Sequence, residues 1–177
     1  MLVRSRRSAT LIFVSVLGGA TGLRAQSATD FDAAARLLPR AERVVNNSGA
    51  PFRIGASVTI AVPAEAPRLT ETAELLARML TSATGVGASV TTGRATDEAR
   101  PAITMALDAS LAARNTEAHR VSVRADGIRL QGATPVSLVW ASQTLLQLLQ
   151  RELMLDAPPQ WTIRAVDIDD APKFHWR

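Results

Sequence analysis

The sequence predicts an α+β domain in which one mainly antiparallel sheet carries two amphipathic helices on one face. Three observations predict it: apolar and polar residues alternate cleanly over Ser57–Val62, a hairpin signal surrounds Asp126-Gly127, and two long segments place apolar residues three and four apart. Alternation is typical of a half-buried strand, and the wider spacing is typical of a helix with one buried side. Two such helices can cover one face of a single sheet.

The first predicted elements are strands, followed by a helix. Residues 42–46 and 52–54 are candidate short strands around a turn at 47–49, and Ser57–Val62 is a half-buried strand. Leu69–Thr84 carries one apolar stripe and is the first predicted helix. Gly85 is its predicted stop, because glycine readily adopts the left-handed conformation that ends helices.

The second predicted helix begins at Thr134, a good N-cap, with Pro135 in its first turn, and runs to about Leu153. The remaining strands are predicted at residues 88–92, 103–107, 119–125, 128–131 and 161–168. A polar loop is expected at 93–100. Asp126-Gly127 readily adopts the positive φ angles of a type I′ turn and therefore predicts a tight hairpin.

Residues 1–25 are predicted to be a signal peptide. Three arginines precede an apolar run, and Ala25 provides the small residue for cleavage before Gln26. The apolar run is short and contains Gly and Thr, so an uncleaved membrane anchor is the less favoured alternative. We therefore expect an exported protein, periplasmic or extracellular, with no stable membrane span after cleavage.

The amino-acid composition limits the partners and the chemistry that the chain can have. The chain has 20 Lys and Arg and 16 Asp and Glu, but residues 1–25 hold four Arg and no acid, so the remaining residues have a net charge of zero. This balance gives no argument for a nucleic-acid partner. The absence of Cys excludes disulfides and thiolate chemistry. Roughly 150 residues suffice for one domain with a hydrophobic core.

Four motifs follow one another as in a known family. They are 117–123 (EAHRVSV), 127–130 (GIRL), 140–149 (WASQTLLQLL) and 170–177 (DAPKFHWR). They resemble two strands, the second-helix signature and the junction segment of the N-terminal domain of glycoside hydrolase family 20, the β-N-acetylhexosaminidases. The resemblance covers about residues 35–177. His119 and Lys173 depart from the pattern, since the family prefers Tyr and Arg there.

The resemblance implies a domain at 26–166 and a junction at 167–177 to a missing (β/α)8 catalytic barrel. The intact enzyme would be an exported hydrolase that removes terminal N-acetylhexosamine from glycans or chitin fragments. This domain would pack against the barrel, would need no cofactor or metal, and would be inactive alone, because it lacks the family's acid pair. Two alternatives stay open: a stand-alone exported binding or scaffold module, and the accessory domain of a related glycosidase family.

Arg177 is the one candidate substrate-binding residue. The resemblance implies that its guanidinium points into the sugar pocket and bonds hydroxyls of the terminal sugar, which suits Arg better than Lys. The alternative is an exposed arginine without a role. No catalytic residue is assigned, because the one Asp-Glu dipeptide, Asp97-Glu98, lies in a polar loop and is interpreted as a solvated pair.

The other acids and the histidines are interpreted as structural. Asp167 and Asp169 are expected to share one strand face, as a carboxylate pair or metal site would need, and Asp170 is expected to cap or pair locally. The two histidines, His119 and His175, lie in separate elements, and no spacing is typical of zinc or calcium.

The three tryptophans could stack on sugar rings, but aromatic residues of a small domain are more often core or interface residues. Trp140 is predicted on the second helix, and Trp161 at the start of the last strand. Trp176 is the best candidate for contact with the barrel.

Overall fold

The structure is a computed structural model that describes residues 32–93, 103–153 and 159–171. Its strands and helices, in chain order, are β1 (Arg43–Asn46), β2 (Phe52–Arg53), β3 (Ser57–Val62), α1 (Leu69–Thr84), β4 (Gly87–Thr92), β5 (Ile103–Leu107), α2 (Ala109–Ala112), β6 (His119–Arg124), β7 (Gly127–Gly132), α3 (Pro135–Gln147), β8 (Gln150–Glu152), β9 (Gln160–Ile163) and β10 (Val166–Asp170). A short 3₁₀ turn, Ala34–Arg36, precedes them.

Within the described residues, seven strands form one sheet in the order β1-β10-β6-β7-β5-β3-β4, and β2-β9-β8 form a small second sheet. Strands β1, β10, β6 and β7 pair antiparallel, whereas β7, β5, β3 and β4 pair parallel. The α+β class is confirmed, and the sheet is mixed. The parallel pairing of β3 with β4 follows from α1, which crosses over between them, because parallel neighbours need such a connection.

The core lies between the large sheet and the helices α1 and α3. The strand register aligns Ile168, Val121, Leu130 and Met105 in one row across four strands, and each is almost completely buried. Leu145 of α3 is fully buried in the same cluster. The apolar alternation of the strands thus meets the apolar side of the helices, as the sequence predicts.

The predicted helix signals are confirmed at both helices. Gly85 ends α1 with a φ of 75°, and its N–H donates to the carbonyl oxygen of Thr81 at 2.8 Å. Thr134 caps α3, since its hydroxyl accepts from the N–H of Ser137, while the Ser137 hydroxyl accepts from the N–H of Thr134. A Cβ at Gly132 would lie 2.4 Å from the Ser137 hydroxyl oxygen, so glycine there lets α3 start close to β7.

The hairpin of β6 and β7 forms, but its turn differs from the prediction. Arg124 pairs with Gly127, which leaves Ala125 and Asp126 as the two turn residues. None of these residues has a positive φ, so the predicted type I′ turn is wrong. The reason is that the register places Gly127 in the strand, and L-residues avoid the positive φ angles that this turn type needs.

Several predicted elements have other bounds in the structure, because some of their residues pair with strands that are distant in sequence. Helix α3 ends at Gln147 rather than near Leu153, because Gln150–Glu152 pair with β9. The predicted last strand is two strands, β9 in the small sheet and β10 in the large one. Likewise β1 pairs with β10 and β2 with β9, so the two are not a hairpin. Most of the predicted polar loop, from residue 94 on, lies outside the described residues.

Candidate functional site

The face of the large sheet that points away from the helices is polar, and we call it the polar sheet face. The register of β10, β6 and β7 places on it Asp167, Asp169, Arg120, Ser122, Arg124 and Arg129. Asp167 and Asp169 therefore share one face, as the sequence predicts. Whether they form a catalytic or a metal-binding pair depends on which groups surround them.

Asp169 is the centre of an ion-pair network. Arg120 Nε donates to its Oδ2 at 3.0 Å, and Arg114 donates to its Oδ1. Arg114 also donates to Glu42 Oε2 at 2.9 Å, and Arg120 donates to Asp108 Oδ2 at 3.3 Å. Burial alone would raise the pKa of Asp169, but the arginine hydrogen bonds lower it below its ordinary value. The network joins the segments before β1 and around α2 to the sheet.

Asp167 is likewise held as a carboxylate. Burial alone would raise its pKa, but hydrogen bonds from Arg124 at 2.7 Å, from the Ser122 hydroxyl and from Asn47 Nδ2 at 3.0 Å lower it to about 2. A general acid or base works best with a pKa near the operating pH. A carboxyl group needs a raised pKa for that role, whereas the pKa of Asp167 is lowered. No group of three or more acids or histidines in the described residues could hold a metal. Both carboxylates are thus held by hydrogen bonds and ion pairs that tie β10 to β6 and its neighbours.

Replacing Asp167 by asparagine is expected to lower the free energy of unfolding by about 1 kcal/mol at neutral pH, since water screens a carboxylate that is 37% exposed. Its folded pKa of about 2 lies below the ordinary 3.8, so its charge stabilises the fold above about pH 4, and this stabilisation is lost as the pH falls towards 2. Urea unfolding measured between pH 7 and pH 2 should therefore show that the free energy of unfolding falls less for Asp167→Asn than for the unsubstituted protein. Glu65→Gln, which changes an exposed acid, is the control. If the free energy of unfolding of Asp167→Asn falls with pH as much as that of the unsubstituted protein, the Asp167 carboxylate does not stabilise the fold.

A second polar cluster is buried on the helix side of the sheet. His119 is fully buried, with Nδ1 3.1 Å from the carbonyl oxygen of Glu117 and Nε2 3.3 Å from Thr144 Oγ1. Asp170 is 6% exposed, accepts from the N–H of Glu42 at 3.2 Å, and has its Oδ2 4.0 Å from His119 Nε2. The Glu42 bond joins residues that are distant in sequence, while the local cap or pair expected of Asp170 stays a prediction. The cluster fixes the end of β10 against β6 and α3.

A groove of about 380 Å³ lies beside this cluster, between α3 and residues 37–41, and we call it the α3 groove. Its lining includes Leu38, Trp140, Gln147 and Asp170. The side-chain amide of Gln147 accepts from the N–H of Leu38 at 2.7 Å and donates to its carbonyl oxygen at 3.2 Å. The Leu38 side chain nevertheless stays 80% exposed, so the rim of the groove is apolar.

Several predicted site residues lie outside the described residues: Asp97, Glu98, His175, Trp176 and Arg177. The substrate-binding role of Arg177 therefore stays a prediction. Trp140 lines the α3 groove, whereas Trp161 packs against the core and donates from Nε1 to the carbonyl oxygen of Thr84 at 3.0 Å. Among the described helices, none is long and apolar enough to cross a membrane.

The arginine partners of the strand acids are not predicted from the sequence. One signal for them exists, because Arg120 and Arg124 alternate with valines just as Asp167 and Asp169 alternate with apolar residues. Opposite charges on facing strands favour pairing. Arg114 lies outside any strand and carries no such signal.

The family described as "Glycosyl hydrolase family 20, domain 2" matches residues 34–171 of this chain. The chain belongs to glycoside hydrolase family 20. The match spans every strand and helix of the described residues and contains the first three motifs, which confirms the family resemblance. It reaches only the first two residues of the fourth motif, so the junction at 172–177 stays a prediction. The chain is thus an N-terminal accessory domain of a family 20 enzyme.

Solved structures of family 20 enzymes contain a similar domain. A mutant Streptomyces plicatus beta-hexosaminidase in complex with product GlcNAc is 25% identical with a TM-score of 0.65, over 83% of this chain and 28% of that one. The Streptomyces coelicolor beta-N-acetylhexosaminidase is 26% identical with a TM-score of 0.63, over 80% and 27%. The Vibrio harveyi exo beta-N-acetylglucosaminidase is 20% identical with a TM-score of 0.64, over 82% and 20%. This chain therefore spans less than a third of each of them. No curated protein sequence matches it.

Proposed function

We propose that this chain is the non-catalytic N-terminal domain of an exported β-N-acetylhexosaminidase that removes terminal N-acetylhexosamine from glycans or chitin fragments. The observation that carries the proposal is the family 20 match over residues 34–171, together with the 25% and 26% identity to the two Streptomyces enzymes. The described acids support a non-catalytic role, since Asp167 and Asp169 are bonded by arginines that keep their pKa values low.

The proposed partner is a (β/α)8 catalytic barrel in the same polypeptide. The outward side of α3 supports this partner, because Val136 is 57% exposed and Trp140 follows one turn later on the same side of the helix. Leu38, at the rim of the α3 groove, is 80% exposed. Neighbouring exposed apolar side chains are typical of an interaction surface. Packing the barrel here would bury them and stabilise the intact enzyme.

The proposal predicts where activity resides. A polypeptide that contains this domain and the barrel is expected to release the chromophore from an aryl N-acetyl-β-glucosaminide. Residues 26–177 alone are expected to fold, with a mixed helix and strand circular-dichroism spectrum, and to release none. If residues 26–177 hydrolyse this substrate, and Asp97→Asn or Glu98→Gln abolishes the hydrolysis, the non-catalytic role is contradicted. Glycan binding by residues 26–177 themselves would favour the alternative of a stand-alone binding module.

Export is proposed from the basic and apolar order of residues 1–25. We expect the protein recovered from the periplasm or the medium to begin at or near Gln26, because the small residue Ala25 suits signal-peptidase cleavage. Intact-mass measurement tests this start directly. Cytoplasmic protein that keeps Met1 and the full N-terminal segment would overturn the proposal.

A further inference from the structure

The outer edge of β4 is an unprotected end of the large sheet. β4 is the last strand in the sheet order, and no strand of the described residues pairs with its outer side. Natural proteins blunt such edges with charged residues, proline or very short strands. The six residues of β4, Gly87–Thr92, include neither a charge nor a proline, whereas β1 at the other edge is shorter and carries Arg43. The β4 edge is therefore suited to accept a further strand.

Two hydrogen bonds show which backbone groups of β4 point outward. The N–H of Gly93 donates to a carbonyl oxygen of β3 at 3.0 Å, whereas the N–H of Ala88 donates to the Thr81 hydroxyl of α1 at 3.2 Å. Backbone groups along a strand point to alternate sides, so Val90 and Thr92 share the outward side with Ala88. Val90 and Thr92 thus each present an N–H and a carbonyl oxygen to a partner strand.

A groove of about 560 Å³ runs along this edge between α1 and β4, and we call it the edge groove. It is lined by Glu74, Ala77, Arg78, Thr81, Ser82, Ala88 and Val90. Val58 and Ile60 of β3, which pair with Ala88 and Val90, are almost fully buried, whereas Ala88 and Val90 are only half-buried. Helix α1 therefore covers β3 but leaves the edge strand partly open, which gives space for another element beside it.

We propose that the β4 edge and the edge groove bind a second copy of this chain, with the two β4 strands antiparallel about a two-fold axis at Val90. In this register Val90 exchanges both backbone hydrogen bonds with the partner's Val90, and Thr92 faces the partner's Ala88. The two large sheets then form one continuous sheet. The proposal uses no residue of the outward side of α3 that is assigned to the barrel, and it holds whatever the substrate is.

The charges on α1 favour a second copy as the occupant. Helix α1 connects the parallel strands β3 and β4, so it runs opposite to β4, and Thr81 is level with Ala88. Five helical residues rise ~7.5 Å and two strand residues ~6.6 Å, so the midpoint between Glu74 and Arg78 is level with Val90. The axis therefore places Glu74 beside the partner's Arg78, and Arg78 beside the partner's Glu74. Such complementary charges fix the register of an interface.

Sedimentation velocity of the full chain over a range of concentrations tests the proposal, and we expect a reversible dimer. Glu74→Arg alone and Arg78→Glu alone each place like charges opposite one another across the axis, so each should weaken the dimer about tenfold. An equimolar mixture of the two variants should restore the association, because each helix then faces one of opposite charge. Glu71→Arg is the control, since it makes the same charge change on α1 outside the groove lining and should leave the dimer unchanged.

The register is tested with single thiols, because the chain has no cysteine. The Cα atoms of a hydrogen-bonded antiparallel pair lie ~5.5 Å apart, so mild oxidation should cross-link two copies of Val90→Cys through a disulfide. Ser89→Cys is the matched control on the same strand. In the proposed register its Cα lies roughly 8 Å from that of the partner's Ser89, which is too far for a disulfide, and it should stay uncrosslinked.

Three results would each overturn the proposal. The first is a chain that stays monomeric at every concentration up to ~1 mM. The second is a dimer whose dissociation constant is the same in Glu74→Arg, in Arg78→Glu and in their mixture, because that dimer uses another surface. The third is a disulfide that forms in Ser89→Cys and not in Val90→Cys, because the two-fold axis is then not at Val90.

Discussion

Replacing Leu145 by alanine is expected to lower the free energy of unfolding by about 2–5 kcal/mol. Leu145 is fully buried on the inner side of α3, in the core cluster that also contains Val121 and Leu130 of the central strands. Truncation leaves a cavity that the paired strands of the sheet cannot close, because their spacing is fixed by the hydrogen-bond ladder. Since a domain of this size has a total stability of about 5–15 kcal/mol, the loss removes a large share of it.

Urea unfolding followed by circular dichroism measures this change. Val136→Ala is the matched control, because Val136 lies on the same helix with its side chain 57% exposed, and its effect should stay within about 0.5 kcal/mol. A Leu145→Ala protein that is as stable as the control would show that α3 does not pack its apolar side on the sheet. The result concerns the fold and leaves the proposed activity untouched.

The elements with a strong local signal could be predicted from the sequence. Ser57–Val62 and Leu69–Thr84 form the predicted strand and helix at the predicted bounds. Gly85 and Thr134 act at the helix ends as their residue types indicate. These signals are local, because the alternation, the helical spacing and the caps depend on residues within one or two turns of each other.

The partners of the strands could not be predicted in the same way. The apolar pattern continues the second helix through residues 148–153, yet Gln150–Glu152 pair with β9 instead. Similarly, β1 and β2 follow one another in sequence but join different sheets. Strand pairing depends on distant residues, and burial against them outweighs local preference.

The polar sites show the same limit. The sequence indicates that Asp167 and Asp169 share a face, but their role follows from Arg114, Arg120 and Arg124, which the fold brings to them. The α3 groove depends on hydrogen bonds between Leu38 and Gln147, which are 109 positions apart. No spacing rule links such residues, so only the assembled fold reveals the groove.

Arg177→Ala in the proposed longer enzyme is expected to lower kcat/KM about 100-fold or more. The resemblance of residues 170–177 to the junction of family 20 implies that this guanidinium bonds two hydroxyls of the terminal sugar. A hydrogen bond to a charged group contributes about 1.5–3 kcal/mol, so loss of a two-pronged contact costs at least two orders of magnitude in rate. Arg177→Lys keeps the charge but loses the planar fork, and it should not restore activity.

Hydrolysis of an aryl N-acetyl-β-glucosaminide gives kcat/KM, and a thermal melt of each variant separates lost contacts from lost structure. Arg129→Ala is the control, since Arg129 is an exposed arginine on the polar sheet face, away from the helices. We expect Arg177→Ala to melt at nearly the same temperature as the unsubstituted enzyme while its rate falls. If Arg177→Ala hydrolyses the substrate as efficiently, Arg177 is not in the sugar pocket. The family assignment would stand, because it rests on residues 34–171 and not on the junction.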